Sequence, residues 1–194
     1  GLVSRSFIEQ QGGNKVVNHL IMLGTPNGGS EWSSVYQLAT LLLSVGLNFI
    51  PKSFVAGPFV SLLTNKVIEK ISTTLKQMNI SESDLFPKLR RSEDPQCPYT
   101  IIAGDTRLEQ ELNAKAENLL KALGQKLWKG LELPFKGKPN DIAVTVESIF
   151  TREVFEGRNP AVKLIDPIAC NHLVYFKDQD GLNALTEAVR QAFD

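Results

Sequence analysis

Short apolar runs alternate with longer amphipathic segments along this chain. Three runs are short enough to be buried strands, at 16–23, 99–104 and 161–165. Three segments carry apolar residues at helical spacing, at 1–11, 108–128 and 181–193. This alternation is typical of a parallel sheet covered by helices, because each crossover between parallel strands needs a connection of about helix length. The pattern therefore predicts an α/β fold.

Two of the predicted helices have a distinct apolar face. In the first, Val3, Phe7 and Ile8 share one side, while Arg5 and Glu9 lie on the other. In the last, the apolar residues are Leu182, Leu185, Val189 and Phe193. We expect both apolar faces to be buried against the sheet.

Two further apolar helical patterns fill the region 31–80, between the first and second strands. The first of them is shorter than about 20 residues and is interrupted by polar residues, so it is not predicted to span a membrane. We predict a two-helix insertion, which either forms a lid over an apolar pocket or packs as core. The chain is thus predicted to be one domain, 1–194, with a helical insertion at about 31–80.

Charge and cysteine content narrow the function classes. The chain has 21 Lys and Arg against 21 Asp and Glu, without blocks of like charge, so no nucleic-acid partner is expected. Cys97 and Cys170 lack the spacing of a zinc site, although a single disulfide stays open. We predict no metal and no cofactor. The compartment is unknown, with a slight preference for the cytoplasm, because no signal-peptide pattern is present; the chain begins at Gly1, so its true start is expected to be missing.

Two residues with candidate chemistry flank the third predicted strand. Asp141 lies in the loop before it and His172 in the loop after it, 31 residues apart. Open α/β sheets place their sites beyond the carboxyl ends of the strands, where such loops meet. A carboxylate can orient an imidazole that acts as a base near neutral pH. We therefore predict Asp141 and His172 as the acid and base of a hydrolase.

Other residues compete for these functions. Asp105 directly follows the second strand and is the main rival to Asp141 as the acid. His19 lies inside the first predicted strand and is interpreted as a structural histidine. Thr25 and Asn27, in the glycine-rich turn after that strand, either bind substrate or only shape the turn.

Four motifs follow one another at the spacing of a known family. Residues 1–5, Gly-Leu-Val-Ser-Arg, resemble the end of the nucleophile elbow GHSMGGLVSR, and residues 23–30 are similar to a segment LGTPHxGS. Residues 140–148 resemble the NDGxVxxxS segment that carries the acid, and 172–176 resemble an HxxYF histidine loop. Together they resemble the C-terminal half of an α/β-hydrolase of the lipase and esterase type, such as triacylglycerol lipases and GPI inositol deacylases.

The resemblance implies a partial α/β-hydrolase fold whose strands correspond to the last three of the family's sheet. It also implies a Ser-His-Asp triad, with His172 as base, Asp141 as the orienting acid and the serine three residues before Gly1. No GxSxG motif occurs in the chain, and Ser4 lies inside the first predicted helix, away from a strand-to-helix turn. The chain by itself is therefore expected to be inactive.

The implied activity is hydrolysis of carboxylic esters, with a lipid or another small acyl ester as substrate. The alternative is a catalytically inactive, lipase-like module that binds a ligand or a protein. A further partner is expected at the 16–23 strand, which has no upstream neighbour in this sequence. We expect this edge to pair with the missing N-terminal half of the domain or to mediate self-association.

Overall fold

The computed structural model describes residues 1–30, 83–108, 135 and 137–193. In chain order, the elements of these residues are helix α1 (Leu2–Gln10), a 3₁₀ turn (Gly13–Lys15), strand β1 (Leu20–Leu23), helix α2 (Leu85–Arg90), strand β2 (Tyr99–Gly104), helices α3 (Val146–Phe150) and α4 (Arg152–Phe155), strand β3 (Lys163–Ile168) and helix α5 (Gln179–Phe193). The predicted insertion at 31–80 and nearly all of the predicted helix at 108–128 lie outside the described residues.

The three strands form a parallel sheet with β2 in the centre. Every residue of β2 is buried, which is why its sequence is almost continuously apolar. Successive side chains of a strand point to opposite faces, so Ile101 joins the core on one face and Ile102 the core on the other. The predicted α/β class, a parallel sheet with flanking helices, is confirmed.

Helices cover both faces of this sheet. On one face, Ile8 of α1, Ile149 of α3 and Phe155 of α4 pack with strand residues in a single cluster. On the other face, Ala188 of α5 packs with Tyr175 from the loop before it. The described residues therefore form a helix, sheet, helix sandwich whose loops meet at the carboxyl ends of the strands.

Two strand boundaries differ from the predicted ones. The first strand begins at Leu20, not at residue 16, because the amides of Val16 and Val17 donate to the carbonyl oxygen of Gly13 and close the 3₁₀ turn. Val16 is 73% exposed. The third strand runs over Lys163–Ile168 and not over 161–165, since pairing with β2 begins only at Lys163.

Helix α1 buries a different face from the predicted one. Val3 is 84% exposed and Phe7 is also exposed, whereas the side chain of Arg5 is completely buried. The prediction that the apolar face lies inward is correct for Ile8 alone. A buried guanidinium needs a partner, and that partner is described below with the site.

Helix α5 also packs through residues that its apolar pattern did not indicate. Its buried residues are Gly181 and Ala188, while Leu182, Val189 and Phe193 are exposed. A Cβ atom built on Gly181 would lie 2.3 Å from the carbonyl oxygen of Tyr175. The helix therefore approaches the preceding turn more closely than a larger side chain would allow.

Strand β1 is at one edge of the described sheet, paired with β2 alone. Its pairing with another segment or another copy stays a prediction. None of the described helices is long and apolar enough to cross a membrane.

Candidate active site

The loop that carries Asp141 is held by its own side-chain hydrogen bonds. The Oδ1 atom of Asp141 accepts from the amides of Ala143, at 3.0 Å, and Val144, at 2.8 Å. The Oδ1 atom of Asn140 accepts from the amide of Ile142, at 2.8 Å. Ile142 has a φ of +74°, which is rare for a β-branched residue and typical of constrained functional loops. This tight turn fixes the carboxylate at the edge of the sheet, where its side chain has no exposed surface.

Two bonds attach the His172 loop to the Asp141 loop. The imidazole Nδ1 lies 2.7 Å from Oδ2 of Asp141, and the backbone amide of His172 donates to the carbonyl oxygen of Asp141 at 2.8 Å. Because a carboxylate only accepts, Nδ1 carries the proton and Nε2 is left as an acceptor. The His172 side chain is 38% exposed, and no group among the described residues hydrogen-bonds its Nε2. One ring nitrogen is thus fixed and the other is free to exchange a proton.

The electrostatics of His172 follow from the same contact. Burial alone would lower the pKa of His172, but the hydrogen bond and the negative charge of Asp141 outweigh it and raise this pKa above its ordinary value. The imidazolium is therefore stabilised relative to the neutral ring. This is the electrostatic arrangement expected of a base that becomes protonated during a reaction.

Tyr175 is a third member of the site, to which the sequence pattern assigned no separate function. Its hydroxyl donates to Oδ2 of Asp141 at 3.0 Å and accepts from the amide of Gly104 at 2.6 Å. Burial, and then the negative charge of Asp141, raise the pKa of Tyr175, so its hydroxyl stays protonated. The ring packs edge-on against His172, with centroids 6.1 Å apart. The motif HxxYF contained this residue, but only the fold reveals its contacts.

Gly24, at the end of β1, closes the site from the sheet side. It has a φ of +57°, and a Cβ atom built on it would lie 2.6 Å from Oδ2 of Asp141 and 2.9 Å from Nδ1 of His172. The next residue, Thr25, is in turn in close contact with Gly1, where a Cβ would lie 1.9 Å from the threonine Oγ1. The start of α1 therefore contacts the residue that follows Gly24, and Gly24 itself is next to Asp141 and His172.

Thr25 and Asn27, the two residues predicted to bind substrate, are both buried. The side-chain oxygen of Asn27 accepts from Arg5 at 3.0 Å, and its nitrogen donates to the carbonyl oxygen of Ile149 at 2.8 Å. These bonds tie the glycine-rich turn to α1 and α3, which is a structural function. Contact of either residue with a substrate stays a prediction.

Asp105, the rival acid, has a different partner. Its carboxylate accepts from Nε and Nη2 of Arg107, the closest contact being 2.8 Å. The structure thus brings His172 together with Asp141 and not with Asp105. The catalytic function of the pair stays a prediction.

The remaining histidine and the cysteines have structural environments. Nε2 of His19 lies 2.9 Å from the hydroxyl of Thr100, and burial, with the positive charge of Lys163, lowers the pKa of His19. Cys97 and Cys170 are buried and not joined in a disulfide. In the part of the chain that the structure describes, no three His, Cys, Asp or Glu side chains come together as a metal site would require.

A second buried group of charges lies away from the site and is here called the Arg5 cluster. Glu9 accepts from Nε of Arg5 at 2.8 Å, from the hydroxyl of Ser92 at 2.8 Å and from that of Tyr99 at 3.2 Å. Nη2 of Arg158 lies 3.0 Å from the same carboxylate. The side chains of Arg5 and Glu9 have no exposed surface, and that of Arg158 is 8% exposed.

In the Arg5 cluster, two guanidinium groups share the single carboxylate of Glu9. Burial alone would raise the pKa of Glu9, but the bond and charge of Arg5, followed by the charge of Arg158, lower it below its ordinary value. The Arg158 guanidinium also lies over the rings of Tyr99 and Phe155, at 5.2 and 5.6 Å from their centroids. The local sequence pattern of α1 does not predict this cluster, because Arg158 is distant in the sequence from Arg5 and Glu9.

A cavity of about 530 Å³ lies beside the far end of the glycine-rich turn. Gly28, Ser148 and Arg152 are among the residues that line it. Asp141 and His172 do not line it, so this cavity is not the space in which the pair would act.

Fold and site together define an α/β protein with a buried aspartate hydrogen-bonded to a partly exposed histidine at the carboxyl ends of a parallel sheet. The chain belongs to the family described as Domain of unknown function (DUF7379), which matches residues 1–190. No curated protein and no solved structure matches the chain.

Proposed function

We propose that this domain is part of a serine hydrolase that cleaves carboxylic esters through an acyl-enzyme. One observation carries the proposal: Nδ1 of His172 is bonded to the buried carboxylate of Asp141, while Nε2 on the half-exposed side of the ring has no partner among the described residues. This arrangement fits a base held in one tautomer by its acid. In this proposal the base is His172, the orienting acid is Asp141, and no cofactor takes part.

The proposed reaction uses both ring nitrogens. Nε2 of His172 takes the proton of a serine hydroxyl as the serine oxygen attacks the ester carbonyl, and then returns it to the leaving alcohol. Water hydrolyses the acyl-enzyme by the same route, with His172 again as base. Asp141 takes up no proton during the reaction, and its negative charge stabilises the imidazolium that forms transiently.

The proposed serine lies in residues that precede Gly1. Gly1 contacts Thr25, and Gly24 contacts both members of the pair, so the start of α1 is close to His172. This proximity, together with the resemblance of residues 1–5 to the end of a nucleophile elbow, supports a nucleophile just before them. A lipid or other acyl ester is the proposed substrate class, in view of the apolar region 31–80.

The test is active-site labelling of the full-length protein with a fluorophosphonate, combined with hydrolysis of esters of increasing acyl-chain length. We expect labelling and ester hydrolysis. Asp141→Asn should lower kcat by several orders of magnitude, on the order of 10⁴-fold in serine proteases, because the tautomer of the histidine is lost.

His172→Ala should abolish labelling, while His19→Gln, which changes the other histidine of the chain, should leave both activities intact. A folded full-length protein that neither takes the label nor hydrolyses any ester would contradict the proposal. That outcome would favour a catalytically inactive module that binds a ligand or a partner.

A further inference from the structure

We propose that Tyr175 is a positioning residue: its hydroxyl, held by the amide of Gly104, fixes Oδ2 of Asp141 for contact with His172. The contacts themselves do not depend on the proposed hydrolase activity; the catalytic consequence rests on it. Neither the motifs nor the predicted triad assigned this function to Tyr175.

The direction of each hydrogen bond is fixed by its partners. An amide can only donate, so the bond of 2.6 Å between Gly104 and Tyr175 uses the oxygen of the phenol as acceptor. The phenol proton is then directed to the carboxylate oxygen 3.0 Å away. The register of β2 against β3 shifts between Ile102 and Gly104, next to the amide that donates to the tyrosine. The end of β2 therefore orients the phenol.

The carboxylate of Asp141 is held on both oxygens. Oδ1 accepts from two backbone amides of its own loop, and Oδ2 accepts from Tyr175 and His172. Tyr175 and His172 thus share one oxygen atom. A donor that shares Oδ2 takes up part of its negative charge, so it limits how strongly the carboxylate stabilises the imidazolium. The phenol has two effects: it fixes the position of Oδ2 and moderates the basicity of the ring.

The ends of strands β1 and β2 pack closely against Tyr175. A Cβ atom built on Gly104 would lie 2.9 Å from the phenol oxygen, and one built on Gly24 would lie 2.9 Å from a ring carbon of the tyrosine. Two glycines at the ends of neighbouring strands therefore surround a single buried phenol. A side chain at either position would also collide with another neighbour, the carbonyl oxygen of Cys170 at Gly104 and Oδ2 of Asp141 at Gly24, so both strand ends favour glycine.

The experiment is an NMR titration of the two histidines in the full-length protein and in Tyr175→Phe. We expect the pKa of His172 to rise, by on the order of half a unit or more, because His172 becomes the only side-chain donor to Oδ2. If the enzyme is active, the acidic limb of its kcat/KM profile, where His172 loses its proton and becomes able to act as base, should move to higher pH by the same amount. The pKa of His19 should not move, which provides an internal reference.

Tyr99→Phe is the matched control. Tyr99 is also buried and also donates to a carboxylate, that of Glu9, at 3.2 Å. Its loss should destabilise the fold to a similar extent but leave the pKa of His172 unchanged. An equal shift in both variants would show a general effect of weakened packing and would overturn the proposal.

A second replacement keeps the test valid if Tyr175→Phe does not fold. Tyr175→3-fluorotyrosine has nearly the same size but a more acidic phenol, so it should donate more strongly and lower the pKa of His172. If neither replacement moves this pKa, the positioning function is wrong. Because the titration needs no substrate, a shift in an inactive protein would overturn the hydrolase proposal alone.

Discussion

Two buried carboxylates of this domain have similar partners but different surroundings. Glu9 in the Arg5 cluster and Asp141 in the candidate site each accept a hydrogen bond from a tyrosine hydroxyl and each contact a basic side chain. The Arg5 cluster is closed, since its three charged side chains are at most 8% exposed. The candidate site is open on one side, through a histidine that is 38% exposed.

The comparison shows how a structural and a chemical use of buried charge differ. The cations of the Arg5 cluster are guanidinium groups, which stay charged at every physiological pH. The cation-forming group of the candidate site is an imidazole, which gains and loses its proton near neutrality. A permanent charge in a closed environment cannot exchange a proton, whereas a variable charge with a free nitrogen can take part in a reaction.

The largest loss of stability should come from removing the negative charge of Glu9 from the Arg5 cluster. Glu9→Gln leaves Arg5 and Arg158 buried without a counter-charge and should lower the free energy of unfolding by about 3–5 kcal/mol. Chemical denaturation measures this change.

Glu147→Gln is the control, since Glu147 pairs with Lys138 at the surface, where both side chains are largely exposed. That change should cost less than about 1 kcal/mol. Equal losses in the two variants would show that Glu9 does not compensate the buried guanidinium groups.

Gly24→Ala should cause a smaller loss of stability and should also disrupt the contact between His172 and Asp141. The new methyl group would collide with Asp141 and His172, in addition to the cost of about 1–2 kcal/mol for a left-handed backbone. The Nδ1 proton of His172 should lose its strongly downfield NMR signal, and ester hydrolysis should be lost with it.

Gly157→Ala separates the cost of the left-handed backbone from the collision of the new methyl group with the site. Gly157 has a φ of +77°, but a Cβ atom there would have no neighbour within 4 Å. This variant should show the backbone cost alone and keep the His172 signal. An unchanged signal in Gly24→Ala would mean that the end of β1 does not constrain the pair.

The smallest changes in stability should be those caused by pH. The two histidines should contribute to this pH dependence in opposite directions. His172 has a raised pKa, so its contribution to stability is complete below about pH 6.5 and is lost as pH rises through its folded-state pKa. His19 has a lowered pKa, so its contribution is present above about pH 6.5 and is lost as pH falls.

Unfolding measured across pH in His172→Asn and His19→Asn should separate these contributions. Each variant should flatten the stability profile on its own side of about pH 6.5, the ordinary pKa of a free imidazole. The same change in both profiles would contradict the opposite environments of the two rings.

The sequence predicted those parts of the fold that depend on continuous local patterns. Strand β2 has the predicted bounds, 99–104, because an uninterrupted apolar run ends at a glycine. The proximity of Asp141 and His172 was also predictable, since loops at the carboxyl ends of neighbouring parallel strands meet at one edge. Three strands and their direction were enough for this inference.

Other features depend on contacts between distant residues, and local patterns do not contain them. Arg5 is buried because the carboxylate of Glu9 and the side-chain oxygen of Asn27 accept from its guanidinium, so the apolar pattern of α1 predicted the wrong face. Helix α5 packs through Gly181 because only a glycine fits against the turn at Tyr175. The function inferred for Tyr175 likewise requires the Gly104 amide at the end of another strand.

The backbone bond between His172 and Asp141 has a practical consequence. It joins the two loops at 2.8 Å without using either side chain. Replacing the imidazole or the carboxylate should therefore abolish the proposed ester hydrolysis while the loops keep their arrangement. Such an inert variant could retain an uncleaved ligand long enough for mass spectrometry to identify it from a crude lipid extract.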